Sequence, residues 1–176
     1  MNSLAQNHDN GMTEDQQFVT FYVDGKHYGL NIKDVREIKA WTHVTPLPNT
    51  PSSMRGVLNL RGAIVPIYDL RAVFGQGLTQ PSTEHVNLIV CIQGRIVGFL
   101  VDAVSDILSF SQDQIQPPPR NRGKDLERMN SVMGLGENNG VMTMLLDIQT
   151  LIGNQLPVND DDFLAKPEKK QTAEKK

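Results

Sequence analysis

FVTFYV-DG-KHYGLNI, residues 18–32, is the stretch on which the fold turns. Phe18 to Val23 is aromatic and β-branched, Asp24-Gly25 forms a two-residue turn, and Lys26 to Ile32 alternates with Tyr28, Leu30 and Ile32 on one face. Alternation on both sides of a dipeptide suited to a primed turn predicts a β-hairpin. The device recurs: His85 to Ile92 is a run of Val, Ile and Leu character, Gln93-Gly94 turns, and Arg95 to Val101 runs back. Superposing the turn glycines, Gly25 on Gly94, shifts the chain by 69 and also matches Lys26 with Arg95, Gly29 with Gly98, Ile32 with Val101, Val35 with Val104, Glu37 with Asp106 and Ile38 with Ile107. A pattern held over so many positions points to an internal duplication.

A later pair extends it. Val57 to Leu60, Arg61-Gly62 and Ala63 to Tyr68 lead into Asp69-Leu70-Arg71-Ala72-Val73-Phe74, which opens like an Asp-capped helical turn. Its counterpart is Ser131 to Leu135, the Asn139-Gly140 turn and Val141 to Leu146, leading into Asp147-Ile148-Gln149-Thr150-Leu151-Ile152, now at a shift of 78 after one loop insertion. Two repeats of short strands plus one short helix suggest twin small barrels or strongly curved sheets. Units of about 60 residues are marginal alone, so the halves are expected to pack together and leave a groove along their seam. The repeats are expected over about 16–80 and 84–153, with strands exchanged between subdomains. Gly75 to Thr83 reads as a freely varying surface connection, and the tails 1–15 and 154–176 read as disordered, the latter carrying Asp160-Asp161-Asp162 and a Lys-rich end.

Composition narrows the function. A net charge of -3 with 6% aromatic residues disfavours nucleic acid, whose binders carry basic, often aromatic, faces. Met1 to Gln17 is polar and unlike a secretory signal, and no apolar run approaches the ~18 residues of a spanning helix, so a cytoplasmic protein without direct membrane insertion is expected. The single Cys91 fits a reducing compartment and reads as a buried small hydrophobe. His8, His27, His43 and His85 lack metal-site spacing, and Gly134, Gly136 and Gly140 are not followed by the Lys-Ser/Thr of a phosphate loop. No catalytic residue, metal site or cofactor is expected. Arg61 stands out, because an arginine at a hairpin tip is held by rigid strands while its fork stays free to meet a carboxylate.

Glu37-Ile38, Pro48-Asn49-Thr50-Pro51, Arg55-Gly56-Val57-Leu58-Asn59-Leu60-Arg61-Gly62 and Val65-Pro66-Ile67-Tyr68-Asp69-Leu70-Arg71 together resemble the signature of the CheW family of chemotaxis coupling proteins. The likeness continues through Gly94 to Gly98, Val101 to Ile107 and Gln114-Ile115-Gln116-Pro117, covering about 16–153. It implies a mainly β fold of two intertwined five-stranded β-barrel subdomains sharing a core. It also implies an adaptor without catalysis, joining the cytoplasmic tips of methyl-accepting chemoreceptors to the regulatory domain of a CheA-type histidine kinase, with other CheW-like modules in rings as further partners. By motif, Val35, Glu37, Ile38, Asn59, Leu60, Arg61 and Gly62 fall on the receptor-binding region, with Glu37 orienting Arg61 and apolar neighbours receiving receptor helix residues. Val44, Gly56, Gln116, Arg120 and Asn121 match regions used toward the kinase or neighbouring couplers. The chain departs from the pattern where Pro117-Pro118-Pro119 precedes Arg120-Asn121 rather than an acidic and an aromatic residue. A coupler for pilus motility or surface sensing has the same signature, and a nucleic-acid-binding small barrel is the rival of another class.

Overall fold

The computed structural model describes residues 15–119 and 130–155; Arg120, Asn121 and all of the tails but Asp15, Asn154 and Gln155 lie outside them. The first half supplies β1 (Gln16–Val23), β2 (Lys26–Asn31), β3 (Val35–Ala40), β4 (Met54–Leu60), β5 (Ala63–Asp69) and α1 (Leu70–Val73). The second supplies β6 (Val86–Ile92), β7 (Arg95–Val101), β8 (Ala103–Phe110), a 3-10 turn, β9 (Ile115–Gln116), β10 (Val132–Asn138), β11 (Val141–Leu146) and α2 (Ile148–Gln155). All four expected hairpins form, and their turn pairs Asp24-Gly25, Arg61-Gly62, Gln93-Gly94 and Asn139-Gly140 each have positive φ at both residues, as a type I′ turn demands.

The strands assemble into two sheets. Sheet A has the order β8-β1-β2-β11-β10-β9 and sheet B the order β3-β6-β7-β5-β4. Exchange of repeat mates turns the first five strands of A into B: β1 with β6, β2 with β7, β3 with β8, β4 with β10 and β5 with β11. Each sheet therefore takes its first hairpin from one half of the chain and the rest from the other, joined by a parallel pairing, β11 with β2 in A and β5 with β7 in B. The mainly β architecture of two similar subdomains is as expected, with one difference: neither sheet is a closed barrel. The β4 edge of sheet B takes one further bridge, Thr45 to Val57, and the β10 edge of sheet A takes the two residues of β9. Bulges at Val35/Glu37 and Met54/Gly56 add local bend and twist to sheet B.

Alternation fills three cores. Outer-face residues Val19, Phe21, Val23, Tyr28 and Leu30 of sheet A pack with Leu88, Val90, Val97, Phe99 and Tyr68 of sheet B and with Leu151 and Ile152 of α2 in one shared core. The inner face of B holds Val65, Ile67, Ile89 and Leu100, against which Trp41 and Val44 pack; the inner face of A holds Phe18, Phe110 and Leu145. Central strands are thus buried on both faces, which is why 85–92 reads as a continuous apolar run.

Asp69 caps α1 through Arg71 N, as its sequence position predicts. It does more than that. Its side chain is fully buried and accepts from Thr79 N at 2.7 Å and Thr79 Oγ1 at 2.8 Å, so the 75–83 connection is pinned by a buried threonine rather than free. Cys91 is half-buried rather than buried, its N–H donating to Asp34 O at 2.9 Å.

Asp34, at the turn into β3, has its carboxyl raised above the ordinary range, first by burial and then by the charge of Asp147. A carboxyl that holds its proton more tightly when folded loses stability as pH rises from its unfolded value, about 4, through its folded one, and stays destabilised above. Asp34→Asn is therefore expected to raise the melting temperature slightly at pH 7. In a thermal melt series the gain should vanish below about pH 4; a gain persisting there removes the electrostatic explanation.

Candidate functional site

The β4–β5 hairpin carries Asn59-Leu60-Arg61-Gly62 at its tip. Asn59 Oδ1 accepts the Gly62 N–H at 2.8 Å and locks the turn. Arg61 then leaves the hairpin and reaches β3, where its Nη2 lies 3.3 Å from Glu37 Oε1 and 3.2 Å from Oε2. The two residues singled out in sequence do meet. Glu37 pairs across the ladder with Ile89, an inner-face residue, so its carboxylate projects toward the open seam between β3 and β4 and is 26% exposed, whereas Arg61 is 79% exposed. In that setting the pair contributes only about 0–1 kcal/mol to stability.

Two observations set Arg61 apart. It occupies φ 51°, a left-handed conformation costly for a residue of its kind, while its repeat mate Asn139 holds the same geometry with a side chain suited to it. The repeat mates of the ion pair, Asp106 and Asn139, cannot make an equivalent charge pair. The backbone would be served better by Asn at 61, a cost that Gln93 also bears at φ 50°. Beside it, Ile38 on β3 is 49% exposed and Ile64 on β5 54% exposed, both facing away from the inside of sheet B. Leu60 is half-buried against the inner core of B, and Val35 packs at the margin of the shared core. Of the apolar residues expected to receive a partner, Ile38 is open and Val35 is largely used by the fold.

Of the residues matched to the kinase-facing region, Val44 and Gly56 lie together near the other end of sheet B. Val44 is half-buried against the inner core of B and lines an open groove with Trp41, His43, Pro46, Arg55 and Leu78. Gly56 lies buried beneath it at φ +139°, and a Cβ there would come within 2.3 Å of Thr45 O; its side chain is absent for a packing reason before any binding one. Gln116 is on β9, exposed, on the other sheet. Trp41 covers one end of sheet B. His85, which spacing marks as ordinary, joins Ser82 at its Nδ1 and approaches Asp102 with Nε2 at 3.8 Å. Among the described residues no cluster of His, Cys, Asp and Glu could hold a metal ion, and no helix is long and apolar enough to cross a membrane.

An exposed arginine anchored on rigid strand ends, with open isoleucines beside it, is the kind of surface that receives another protein. The fold and site define a protein-binding β module built by duplication. The chain belongs to the CheW family: the family model for a CheW-like domain matches residues 17–155. It is similar to the chemotaxis protein CheW of Rhizobium meliloti (strain 1021), 37% identical over 88% of this chain and 97% of that one. To the chemotaxis protein CheW of Klebsiella aerogenes it is 38% identical, over 82% and 86% of the two chains. The crystal structure of the scaffolding protein TtCheW from Thermoanaerobacter tengcongensis shares its fold, with a TM-score of 0.69 and 29% identity over 86% of this chain and 94% of that one.

Proposed function

We propose that this chain is a chemotaxis adaptor that couples the cytoplasmic tips of membrane chemoreceptors to a CheA-type histidine kinase, binding both without chemistry of its own. It works in the cytoplasm, recruited to receptor arrays at the inner face of the membrane. The Glu37–Arg61 pair carries the reading: a guanidinium held out at a turn that favours another residue, on a chain of the CheW family. Receptor helices dock on Arg61, Ile38 and Ile64, with Asn59 and Gly62 fixing the turn. The kinase regulatory domain docks near the other end of sheet B, on the groove lined by Trp41, Val44, Pro46 and Leu78. Gln116, at the β9 edge of sheet A, offers a second such contact, to the kinase or to another coupler.

Autophosphorylation of the kinase in the presence of a receptor signalling fragment tests this. The wild-type chain is expected to confer receptor control on the kinase. Arg61→Asn, which keeps a turn-compatible residue, should melt no lower than wild type yet bind the receptor fragment at least about tenfold more weakly, a loss of about 1.4 kcal/mol. Full receptor control by Arg61→Asn would move the receptor site elsewhere; a wild-type chain that binds neither partner ends the coupling role.

A further inference from the structure

The open apolar pair of sheet B is repeated on sheet A with its charges changed. Ile38 and Ile64 have Ile107 and Met142 as repeat mates, which are as open, at 51% and 46% exposure. The segment leading into Ile38 carries Lys33 and Arg36, and the turn leading into Ile64 carries Arg61; at the same places sheet A has Asp102, Ser105 and Asn139. Lys33 and Arg36 are exposed, Arg36 being the residue left over at the bulge of β3. Neither makes an ion pair among the described residues. The carboxylates of that segment, Asp34 and Glu37, are half-buried, and Glu37 already faces Arg61. Unmet positive charge beside open apolar area suits a segment that carries acids next to large apolar residues.

The chain carries such a segment within reach. Asp160-Asp161-Asp162 is followed directly by Phe163-Leu164. The helix α2 ends at Gln155, and near its end Ile152 and Gly153 line a cavity with Ile92, Gln93 and Arg95 of the β6–β7 hairpin tip. Val90 of the same hairpin pairs with Val35 at the start of β3, so the chain leaves α2 beside Lys33 and Arg36. Asp160 and Leu164 follow Gln155 by five and nine residues, a reach of up to about 16 and 30 Å, against a length of about 20 Å for β3. We propose that residues 160–164 dock on this patch of their own chain, the aspartates against Lys33 and Arg36, and Phe163 and Leu164 on Ile38 and Ile64. A segment tethered so close is present at an effective concentration in the millimolar range, so a contact of millimolar intrinsic affinity is already about half formed. Sheet A, with Asp102 in place of Lys33 and no arginine at 105 or 139, repels the same aspartates. On the proposed function the patch is the receptor site, so the docked segment competes with the receptor helix; the docking itself does not depend on that function.

A nitroxide attached at Ala165→Cys in the full chain, with Cys91→Ala so that a single thiol remains, tests this by NMR. The amides of Arg36, Ile38 and Ile64 are expected to lose at least about half of their intensity beside the oxidised label, with Ile107 and Met142 unchanged. Phe163→Ser with Leu164→Ser should abolish the loss, as should Asp160→Asn, Asp161→Asn and Asp162→Asn together. Substitutions at these positions leave every described strand and helix intact. Salt at about 1 M, which shortens the screening length to about 3 Å, should more than halve the effect. Equal broadening of the two patches overturns the proposal, as does a loss that survives both sets of substitutions. A loss seen only between a labelled chain and a second, isotope-enriched one also overturns it, because the occupant is then a neighbouring copy. Binding of the receptor signalling fragment should tighten about twofold when Phe163 and Leu164 are replaced. A fragment that binds neither form, with the label effect intact, would strike the adaptor reading and leave the docked segment standing.

Discussion

Asp69→Ala is expected to cost about 3–5 kcal/mol of folding stability, seen as a lower urea midpoint at an unchanged slope. The carboxylate is fully buried, and three donors converge on it: Thr79 N–H, Thr79 Oγ1–H and Arg71 N–H, with the Arg55 guanidinium 3.9 Å away. Truncation orphans both donors of Thr79, itself 3% exposed, and each buried donor left unmet costs about 1–3 kcal/mol. Asp69→Asn is the sharper control. One amide oxygen can still accept from Arg71 N and Thr79 Oγ1, but the NH2 then faces the Thr79 N–H, donor against donor, so about half the loss should remain. Among the described residues the repeat mate Asp147 accepts from Gln149 N and Thr150 Oγ1 of its own helix, and Asp147→Ala should cost about 1 kcal/mol, the ordinary worth of a helix cap. Equal losses at the two positions would show that Asp69 acts as a cap alone.

Gly56→Ala is expected to be the most damaging single methyl group in the chain, at about 3 kcal/mol or more. Two effects add. At φ +139° a side chain is strained by about 1–3 kcal/mol wherever it points. The new Cβ also falls 2.3 Å from Thr45 O and 2.7 Å from Thr45 C, and backbone cannot turn aside as a side chain can. Relief requires the Thr45 segment to lift from β4, which breaks both of its bonds to Val57. Gly134, the repeat mate, would meet Ile115 Cγ2 at 2.5 Å and Gln116 O at 3.2 Å. Its φ is not positive, and Ile115 can shift, so Gly134→Ala should fall in the range of ordinary overpacking, about 1–3 kcal/mol. Thermal melts of the two variants side by side decide the point; a Gly56→Ala protein as stable as Gly134→Ala contradicts the backbone clash. A kinase-binding defect in any Gly56 variant therefore reports the displaced 41–46 segment first.

The hairpins, the duplication and the Arg61 turn were legible because each rests on local chemistry. Asp-Gly, Arg-Gly, Gln-Gly and Asn-Gly between alternating runs can do little but turn, and the shifts of 69 and 78 are visible in the residues themselves. The mainly β class and the two subdomains follow from that patterning, and the conjunction of Glu37 with Arg61 follows from the family signature. The role of Thr79 was hidden: in sequence it is a small polar residue in a Gly- and Pro-rich connection, and only the burial of Asp69 ten residues earlier makes it an anchor. Asn87, fully buried beside Leu100 in sheet B, was hidden for the converse reason, as one polar residue in an apolar strand, although its alignment with Phe18 was a signal available from the repeat. By itself the sequence determined what is local and periodic: which segments extend, where they turn, and that one half copies the other. The tertiary structure alone decided which half's hairpin completes which sheet, that neither sheet closes fully, and that both candidate binding ends belong to sheet B. Those outcomes depend on pairing between residues far apart in the chain, on the curvature that bulges and burial impose, and on which polar groups end up shut away from water.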